Sequence, residues 1–436
     1  MRTGNEVIEW IHSLLPFGIK PGLKRMEWML ERLGHPENEI KVIHIGGTNG
    51  KGSTLSFMRH ALEEAGYNVG TFTSPYIECF EERISFNGKP IDEQDLVATA
   101  NRIRPLVEEL KETNLGSPTE FEVITAIAFL YFGEMAKPDF VLLEVGLGGR
   151  LDSTNVVTPL LSVISSIGYD HMHILGETIE EITFEKAGII KRGVPIVSGV
   201  SQKKAQEIIE GVAKKGDAPF FQLGTHFAQT LTTVEGKWQH FKYKSETKSL
   251  DELVIQMPGA HQRNNAAVAT QALEWLEARG HIHLSIDELY KGLWKTTWIG
   301  RFEQMNDEPL VIIDGAHNKE GMEALANTLT VHFPNQKYRF LIAATKEKDM
   351  QILLKPFEQL EASFTFTSFD FFRAASSNEL FDQANVRTKR SEPNWEKALM
   401  EEVKWCEENE VLVIAGSLYF ISAVREKWHK TLTVHS

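Results

Sequence analysis

The apolar and polar positions along the chain fall into two alternating signatures. Short runs of β-branched and aliphatic residues, VIHI at 42–45 and the stretch from Leu160 to Ile167, have the length of strands, and between them DFVLLEV at 139–145 is a continuous apolar run. That is the pattern of parallel strands covered on both sides. Between them run longer segments with helical spacing: an amphipathic helix with Leu55, Met58, Leu62 and Ala65 inward and Gly66 closing it, then Asp92 to Lys111, Glu120 to Phe132 and Thr178 to Ile190. A short strand is expected at Asn68–Phe72, and residues 5–34 read as helices around a turn from Pro16 to Pro21, closing at Gly34. Strands alternating with helices predict a doubly wound, mostly parallel α/β sheet whose ligands sit at the carboxyl ends of the strands.

Past Phe220 the rhythm changes. Short alternating segments up to Gln256, with a turn at Glu235-Gly236, predict a small antiparallel subregion, and GAHQRNNAAVATQALEWLEARG begins a helix that returns to the first domain. The tract KTTWIGRFEQM from Lys295 reads as a connection. Beyond it PLVIIDGAHN, YRFLIAAT, FTFTSF and EVLVIAG restart the strand-helix alternation. Two domains are therefore expected, residues 1–296 and a smaller α/β domain over 297–436, in keeping with a length of 436 residues.

The stretch from Ile40 to Gly66 carries the first chemistry. A β-branched strand runs into a loop with glycines at 46, 47, 50 and 52, and a helix follows. Glycines let backbone N–H groups approach a polyphosphate, the helix N-terminus adds partial positive charge, and Lys51 reaches the outer phosphates. Ser53 is placed to help hold Mg²⁺. The spacing departs from the common phosphate loop: three residues separate Gly46 from Gly50, and Gly52 stands between Lys51 and Ser53. A helix-capping turn is the plainer alternative, and the preceding strand and the lysine favour nucleotide binding.

Composition narrows the classes. With 46 basic against 60 acidic side chains the net charge is −14, which disfavours nonspecific contact with nucleic acid or an anionic membrane. Only Cys79 and Cys406 are present, without metal spacing, so a reduced cytoplasmic setting is expected. The N-terminal MRTGNEVIEWIHSL has the features of neither a signal nor a transit peptide. The longest apolar run, Ala126 to Phe132, is too short to span a bilayer. No stretch announces an exposed apolar interface, so a monomer is expected.

Lys51, Ser74, Glu144 and His171 each lie just past an expected strand end. Glu144 closes an otherwise apolar strand, where a carboxylate without a partner is costly, so a cation or a donor should meet it; Mg²⁺ is one such cation. His171 follows a buried strand beside Asp170, and His173 is hard to tell from it. Lys186, Asn265, Arg301 and the run Asp314-Gly315-Ala316-His317-Asn318 read singly as a solvated lysine, a cap and hinge or turn residues. Together they form two clusters at strand ends.

The motifs GTNGKGS (47–53), TSPY (73–76), LLEVGLGGRLDSTN (142–155), YDH (169–171), EKAGIIKRG (185–193), GRFE (300–303) and DGAHN (314–318) resemble the folylpolyglutamate synthase family, which includes bifunctional dihydrofolate synthases and belongs with the Mur ligases. The resemblance implies an N-terminal P-loop, Mur-ligase-like ATPase domain and a Rossmann-like C-terminal domain. It implies ATP-dependent addition of L-glutamate to the γ-carboxylate of a reduced folate through an acyl phosphate, shielded from water as two domains close. Asn49, Gly50, Lys51, Gly52 and Ser53 would hold the ATP phosphates, with Asn265, Arg301 and Asp314 completing the nucleotide site. Ser74, Glu144 and His171 would be ligands to two Mg²⁺ ions, Lys186 would be carbamylated by CO₂ and help bind the second, and His317 would lie near the phosphates.

Some segments match loosely: Glu347-Lys348-Asp349 stands where the family has Asp-Lys-Asp, and FDFFRAAS lacks the proline usually beside Arg373. TEFE at 119–122 resembles the pterin region of bifunctional members but does not choose between activities. Two other readings are kept: a Mur-type ligase of cell-wall precursors and a non-catalytic nucleotide-binding regulator.

Overall fold

The computed structural model describes residues 1–431 apart from Pro16, Phe17 and Ile19. The expected turn from Pro16 to Pro21 therefore lies partly outside the described residues. Two compact units emerge. The first comprises residues 1–232, 240–254 and 263–296; the second comprises 233–239, 255–262 and 297–436.

The first unit opens with helices α1 (Gly4–His12) and α2 (Lys24–Arg32), followed by β1 (Val42–Gly46), α3 (Lys51–Glu64), β2 (Val69–Phe72), β3 (Ile84–Phe86) and β4 (Lys89–Pro90). Then come α4 (Glu93–Lys111), α5 (Glu120–Leu130), β5 (Phe140–Glu144), β6 (Leu161–Ile164), α6 (Met172–Leu175) and α7 (Ile179–Ala187). The sheet is completed by β7 (Ile196–Ser198), α8 (Lys203–Lys215) and β8 (Phe220–Gln222). Its eight strands lie in the order β4-β3-β2-β5-β1-β6-β7-β8. From β2 to β8 neighbours are parallel; β3 and β4 add an antiparallel edge.

That order explains the apolar runs. Helices cover both faces, so all five residues of β1 and of β5 are buried. Val42, Val141 and Leu143 join the core built with α1, α2, α4 and α5, whereas Ile164, Ile182, Ile189 and Ile209 form a second core with α7 and α8.

Helix α3 departs from the amphipathic reading. Every residue from Ser53 to Met58 is buried, and Ala65 is its half-exposed C-cap. The cause is a second helix, α10 (Ile286–Lys295), packed along α3. Gly292 makes the approach possible, because a Cβ there would collide with the backbone of Ala61. Helix α5 also ends differently, passing at Tyr131–Ala136 into a wider π-type turn.

Strands β9 (Phe227–Glu235), β10 (Trp238–Ser245) and β11 (Ser249–Ile255) form a three-stranded sheet in sequence order, and the turn between β9 and β10 falls at Gly236-Lys237. Such short connections join antiparallel neighbours. Helix α9 (Ala260–Ala278) follows.

In the second unit, β12 (Glu303–Asn306), β13 (Leu310–Ile313), α11 (Lys319–His332), β14 (Lys337–Ile342), α12 (Met350–Leu354) and β15 (Ala362–Ser368) are followed by α13 (Ser377–Gln383), β16 (Thr388–Asn394), α14 (Trp395–Trp405), β17 (Glu410–Ala415) and α15 (Leu418–Thr431). The sheet order is β12-β13-β17-β14-β15-β16, parallel except for β12. Alternate residues face opposite cores: Val411 and Val413 pack with Phe340, while Leu412 and Ile414 pack with Leu341 and Phe420. The tract from Lys295 is thus more than a connection, because its GRFEQM portion supplies the edge strand β12.

Candidate active site

Sheet order brings the expected chemistry together. Strands β2, β5, β1 and β6 are successive neighbours, and the segments that leave their carboxyl ends carry Ser74, Glu144, Lys51 and His171. Lys51 is the first residue of α3, and its N-cap, Gly50, has φ +84°. A side chain is strained in that conformation, and a Cβ on Gly50 would come 2.5 Å from Asn265 Oδ1. Asn265, on α9, is buried and packs directly against the glycine loop.

The cations converge on the loop from within the fold. Lys51 Nζ donates to Gly47 O at 3.3 Å and Thr48 O at 3.4 Å and lies 3.7 Å from Glu144 Oε1. The backbone N–H of Ser74 donates to Glu144 Oε2 at 3.3 Å. The cation and the donor that this strand-end carboxylate needed are Lys51 and the TSPY loop. Lys186 is 5 % exposed, and its Nζ donates to Gly47 O at 3.0 Å. Burial, reinforced by the positive charge of Lys51, pulls its pKa down to about 7 despite Asp170 and Asp152 nearby. The solvated-lysine reading is therefore excluded.

His171 sits in the left-handed region, φ +49°, at the start of α6. Its N–H donates to Asp170 Oδ1 at 3.0 Å, and its Nε2 lies 3.8 Å from Asp170 Oδ2. The His171 and His173 rings are 6.2 Å apart. Among the described residues no group of three His, Cys, Asp or Glu side chains forms a complete metal cage. The donors at the strand ends, a Glu144 carboxylate and a Ser74 hydroxyl, are hard oxygens. That set fits Mg²⁺, which takes few protein ligands and fills its shell with water and phosphate oxygens.

The LDSTN segment holds residues that the sequence reading passed over. Asp152, buried, accepts from Leu147 N at 2.8 Å and Thr154 N at 3.0 Å, and Thr154 Oγ1 donates to it at 2.5 Å. Thr154 Oγ1 in turn accepts from His44 Nε2 at 2.8 Å, since its own proton is committed to Asp152. His44 is fully buried in β1, and burial, with the positive charge of Lys191, lowers its pKa to about 3 and keeps it neutral. This chain ties β1 to the loop that follows Glu144. TEFE, for its part, forms a capping box from Thr119 to Glu122, with ion pairs from Glu122 to Arg25 at 2.9 Å and from Glu120 to Arg83 at 2.5 Å.

The second unit has its own strand-end cluster. Asp314, at the end of β13, accepts from Phe302 N and Ala316 N, each at 2.8 Å. Loss of solvent raises its pKa and Arg301 opposes the rise. Gly315 N donates to Gly300 O at 2.8 Å, and a side chain at Gly315 would collide with Arg301 and Leu418. His317 Nδ1 donates to Gly315 O at 2.8 Å. Asn318 caps α11. Asp349 caps α12, and Glu347 lies 3.7 Å from Arg373, whose guanidinium stacks over Phe371 and Phe372.

A mostly parallel sheet with a glycine loop, two convergent lysines and a strand-end glutamate is the framework of a Mur-type nucleotide-dependent ligase domain. Residues 45–273 match the Mur ligase middle domain, and residues 298–426 match the C-terminal domain of dihydrofolate synthetase. The dihydrofolate synthase/folylpolyglutamate synthase of Bacillus subtilis is 48% identical over 424 residues, 96% of this chain and 97% of that protein. The crystal structure of folylpolyglutamate synthase from Thermotoga maritima superposes with a TM-score of 0.85 at 35% identity, covering 98% of this chain and 96% of that one. The Mycobacterium tuberculosis folylpolyglutamate synthase complexed with ADP and AMPPCP gives a TM-score of 0.87 at 29% identity, covering 98% and 99%. The chain belongs to the dihydrofolate synthase/folylpolyglutamate synthase family.

Proposed function

We propose that the protein is an ATP-dependent ligase that joins L-glutamate to the γ-carboxylate of a tetrahydrofolyl-poly-γ-glutamate, releasing ADP and phosphate. The observation that carries this reading is the convergence of Lys51, Glu144 and Lys186 on the glycine loop at the carboxyl edge of the sheet, in a chain of this family. Dihydropteroate is a second acceptor in the proposal, because the relative at 48% identity is named for both activities.

The chemistry follows from the groups present. A carboxylate oxygen of the acceptor attacks the γ-phosphorus of ATP, the bond to the β,γ-bridging oxygen breaks, and ADP leaves. The glutamate amine then attacks the acyl carbon, the bond to the phosphate oxygen breaks, and the amine gives up its proton as the amide forms. Phosphoryl transfer depends mostly on positioning and on neutralising charge. Lys51 supplies positive charge beside the loop, and residues 49–53 hold the phosphates. Asn265, Arg301 and Asp314 are proposed as further nucleotide ligands, with Arg301 toward phosphate and His317 near the transferred group. Ser74, Glu144 and His171 would hold two Mg²⁺ ions, which supply further neutralisation of phosphate charge when bound.

Lys186 is proposed to carry a carbamate. The neutral amine attacks the carbon of CO₂, an N–C bond forms as one C=O π bond breaks, and the nitrogen releases a proton to solvent; a buried lysine with a pKa of about 7 holds much of the neutral form at neutral pH. The modification turns a cation beside Lys51 into an anion, which removes the like-charge conflict between the two side chains. Residues 1–296 and 297–436 are proposed as the two functional domains of a cytoplasmic monomer. Among the described residues no helix is long and apolar enough to cross a membrane.

The test is phosphate release from ATP with Mg²⁺ and L-glutamate, comparing tetrahydrofolate, dihydropteroate and no acceptor. Stimulation by both acceptors is expected. Stimulation by tetrahydrofolate alone would restrict the reading to a folylpolyglutamate synthase, and stimulation by neither would overturn it.

A further inference from the structure

The glycine loop shows a regularity in where its carbonyl oxygens go. Gly46 O accepts from Ser165 N at 2.9 Å. Gly47 O accepts from both Lys186 and Lys51, and Thr48 O accepts from Lys51. Asn49 O accepts from two hydroxyls, Ser165 Oγ at 2.7 Å and Ser166 Oγ at 2.8 Å. Four consecutive carbonyls are thus held by donors of the protein itself. An exposed carbonyl points the negative end of its dipole at whatever occupies the loop, so a cradle for polyphosphate must keep these oxygens turned away.

Two of those donors are hydroxyls that no motif had marked. Ser166 Oγ both donates to Asn49 O and accepts from Asn49 N, at 3.0 Å, closing a ring around a single residue. The one proton of Ser165 Oγ faces Asn49 O, with Gly46 O a more distant acceptor at 3.2 Å. Thr48 completes the seam from the loop side: Gly168 N donates to its Oγ1 at 3.0 Å, and that hydroxyl donates to Gly168 O at 3.2 Å. The segment 165–168 leaves β6 and leads within a few residues to Asp170 and His171.

We infer that Ser165 and Ser166 are positioning residues for nucleotide binding: their hydroxyls fix the orientation of the backbone at Asn49, so that the loop presents N–H groups rather than carbonyls to the ATP phosphates. Neither serine touches the reacting atoms; they act through the backbone. Without Ser166 Oγ the Asn49 backbone loses both a donor and an acceptor, and of the two hydroxyls on its oxygen only that of Ser165 is left to hold it away from the anion. The inference rests on the reading of residues 49–53 as the phosphate-binding loop.

The test compares Ser166→Thr with Ser166→Val, two side chains of similar shape of which only the first keeps the hydroxyl. Affinity for AMPPCP with Mg²⁺ is measured by titration calorimetry on the full chain, and the KM for the folate acceptor is measured in parallel. The expected result is a loss of about tenfold in nucleotide affinity for Ser166→Val, near wild-type affinity for Ser166→Thr, and an unchanged acceptor KM in both. Equal nucleotide affinity in the two variants, or acceptor and nucleotide affinity falling together, overturns the inference while leaving the nucleotide reading standing. If the wild-type chain binds no AMPPCP, the nucleotide reading fails and the inference goes with it. Should Ser166→Val not fold, Ser166→Ala removes the same oxygen without adding bulk and is judged against Ser166→Thr by the same criteria.

Discussion

Lys186 is the residue at which stability and function are set most directly against each other, and replacing it with methionine tests both. Its ammonium is buried and its pKa is lowered from 10.5 to about 7. A lysine whose folded-state pKa is depressed destabilises the fold wherever the unfolded chain would be protonated. That penalty is fully present below pH 7 and is relieved as pH rises from about 7 towards 10.5, because there the unfolded state binds the extra proton. Each tenfold loss of proton affinity on folding costs about 1.36 kcal/mol, so the penalty at pH 7 is on the order of 4 kcal/mol. The hydrogen bond from Nζ to Gly47 O returns about 1–3 kcal/mol of this.

Lys186→Met keeps the length of the side chain and removes both contributions. It is expected to raise the unfolding free energy at pH 7 by about 2 kcal/mol and to abolish ligase turnover. By pH 10 the advantage should vanish or reverse, since the wild-type lysine no longer carries its penalty while the variant still lacks the hydrogen bond. Urea unfolding in CO₂-depleted buffer at pH 7 and pH 10, without nucleotide, measures the difference. A gap between the two proteins that does not change with pH would refute the reasoning, as would a variant less stable than wild type at pH 7.

Other substitutions address the site one group at a time. Lys51→Ala should reduce phosphate release by about 10³-fold or more with an unchanged circular dichroism spectrum, and near-normal turnover would remove the lysine from the mechanism. Gly50→Ala forces a side chain into φ +84° against Asn265. It should weaken nucleotide binding about tenfold or more and lower the melting temperature, an effect that a combined Asn265→Gly change relieves in part. Gly292→Val inserts bulk where α10 meets Ala61, and a loss of about 2–4 kcal/mol in urea unfolding is expected; a neutral result would mean that α10 can move off α3.

The apolar runs announced covered parallel strands, and the glycine loop announced its lysine, because both depend on local pattern. Strand order does not. That β5 inserts between β2 and β1, setting Glu144 beside Ser74 and Lys51, comes from pairing across tens of residues. Helix α3 departs from its amphipathic reading for a related reason: the small polar residues Ser53, Thr54 and Ser56 mimic a solvent face, whereas α10, far along the chain, covers the helix. Edge strand β12 was hidden because EQMN has no β-branched residue, and its strand state is imposed by pairing with β13. Ser165 and Ser166 left only a faint signal, two hydroxyls in succession where an apolar strand ends.

Several residues that break local rules lie on one edge of the first sheet. A lysine is buried at Lys186, a carboxylate closes an apolar strand at Glu144, His171 takes a left-handed conformation, and Gly50 has no room for a side chain. Each is unfavourable or restrictive by itself. Natural chains keep such features where a ligand needs them. The positive charge of Lys51 and unmodified Lys186 around Gly47 O is the sharpest case, because two like charges converging on one carbonyl repel each other and conversion of Lys186 to the carbamate relieves the repulsion. Bicarbonate should therefore stabilise the wild-type chain and leave a Lys186→Met variant unchanged. Parallel melts with and without bicarbonate check this, and an equal shift in both proteins would mean that Lys186 carries no carbamate.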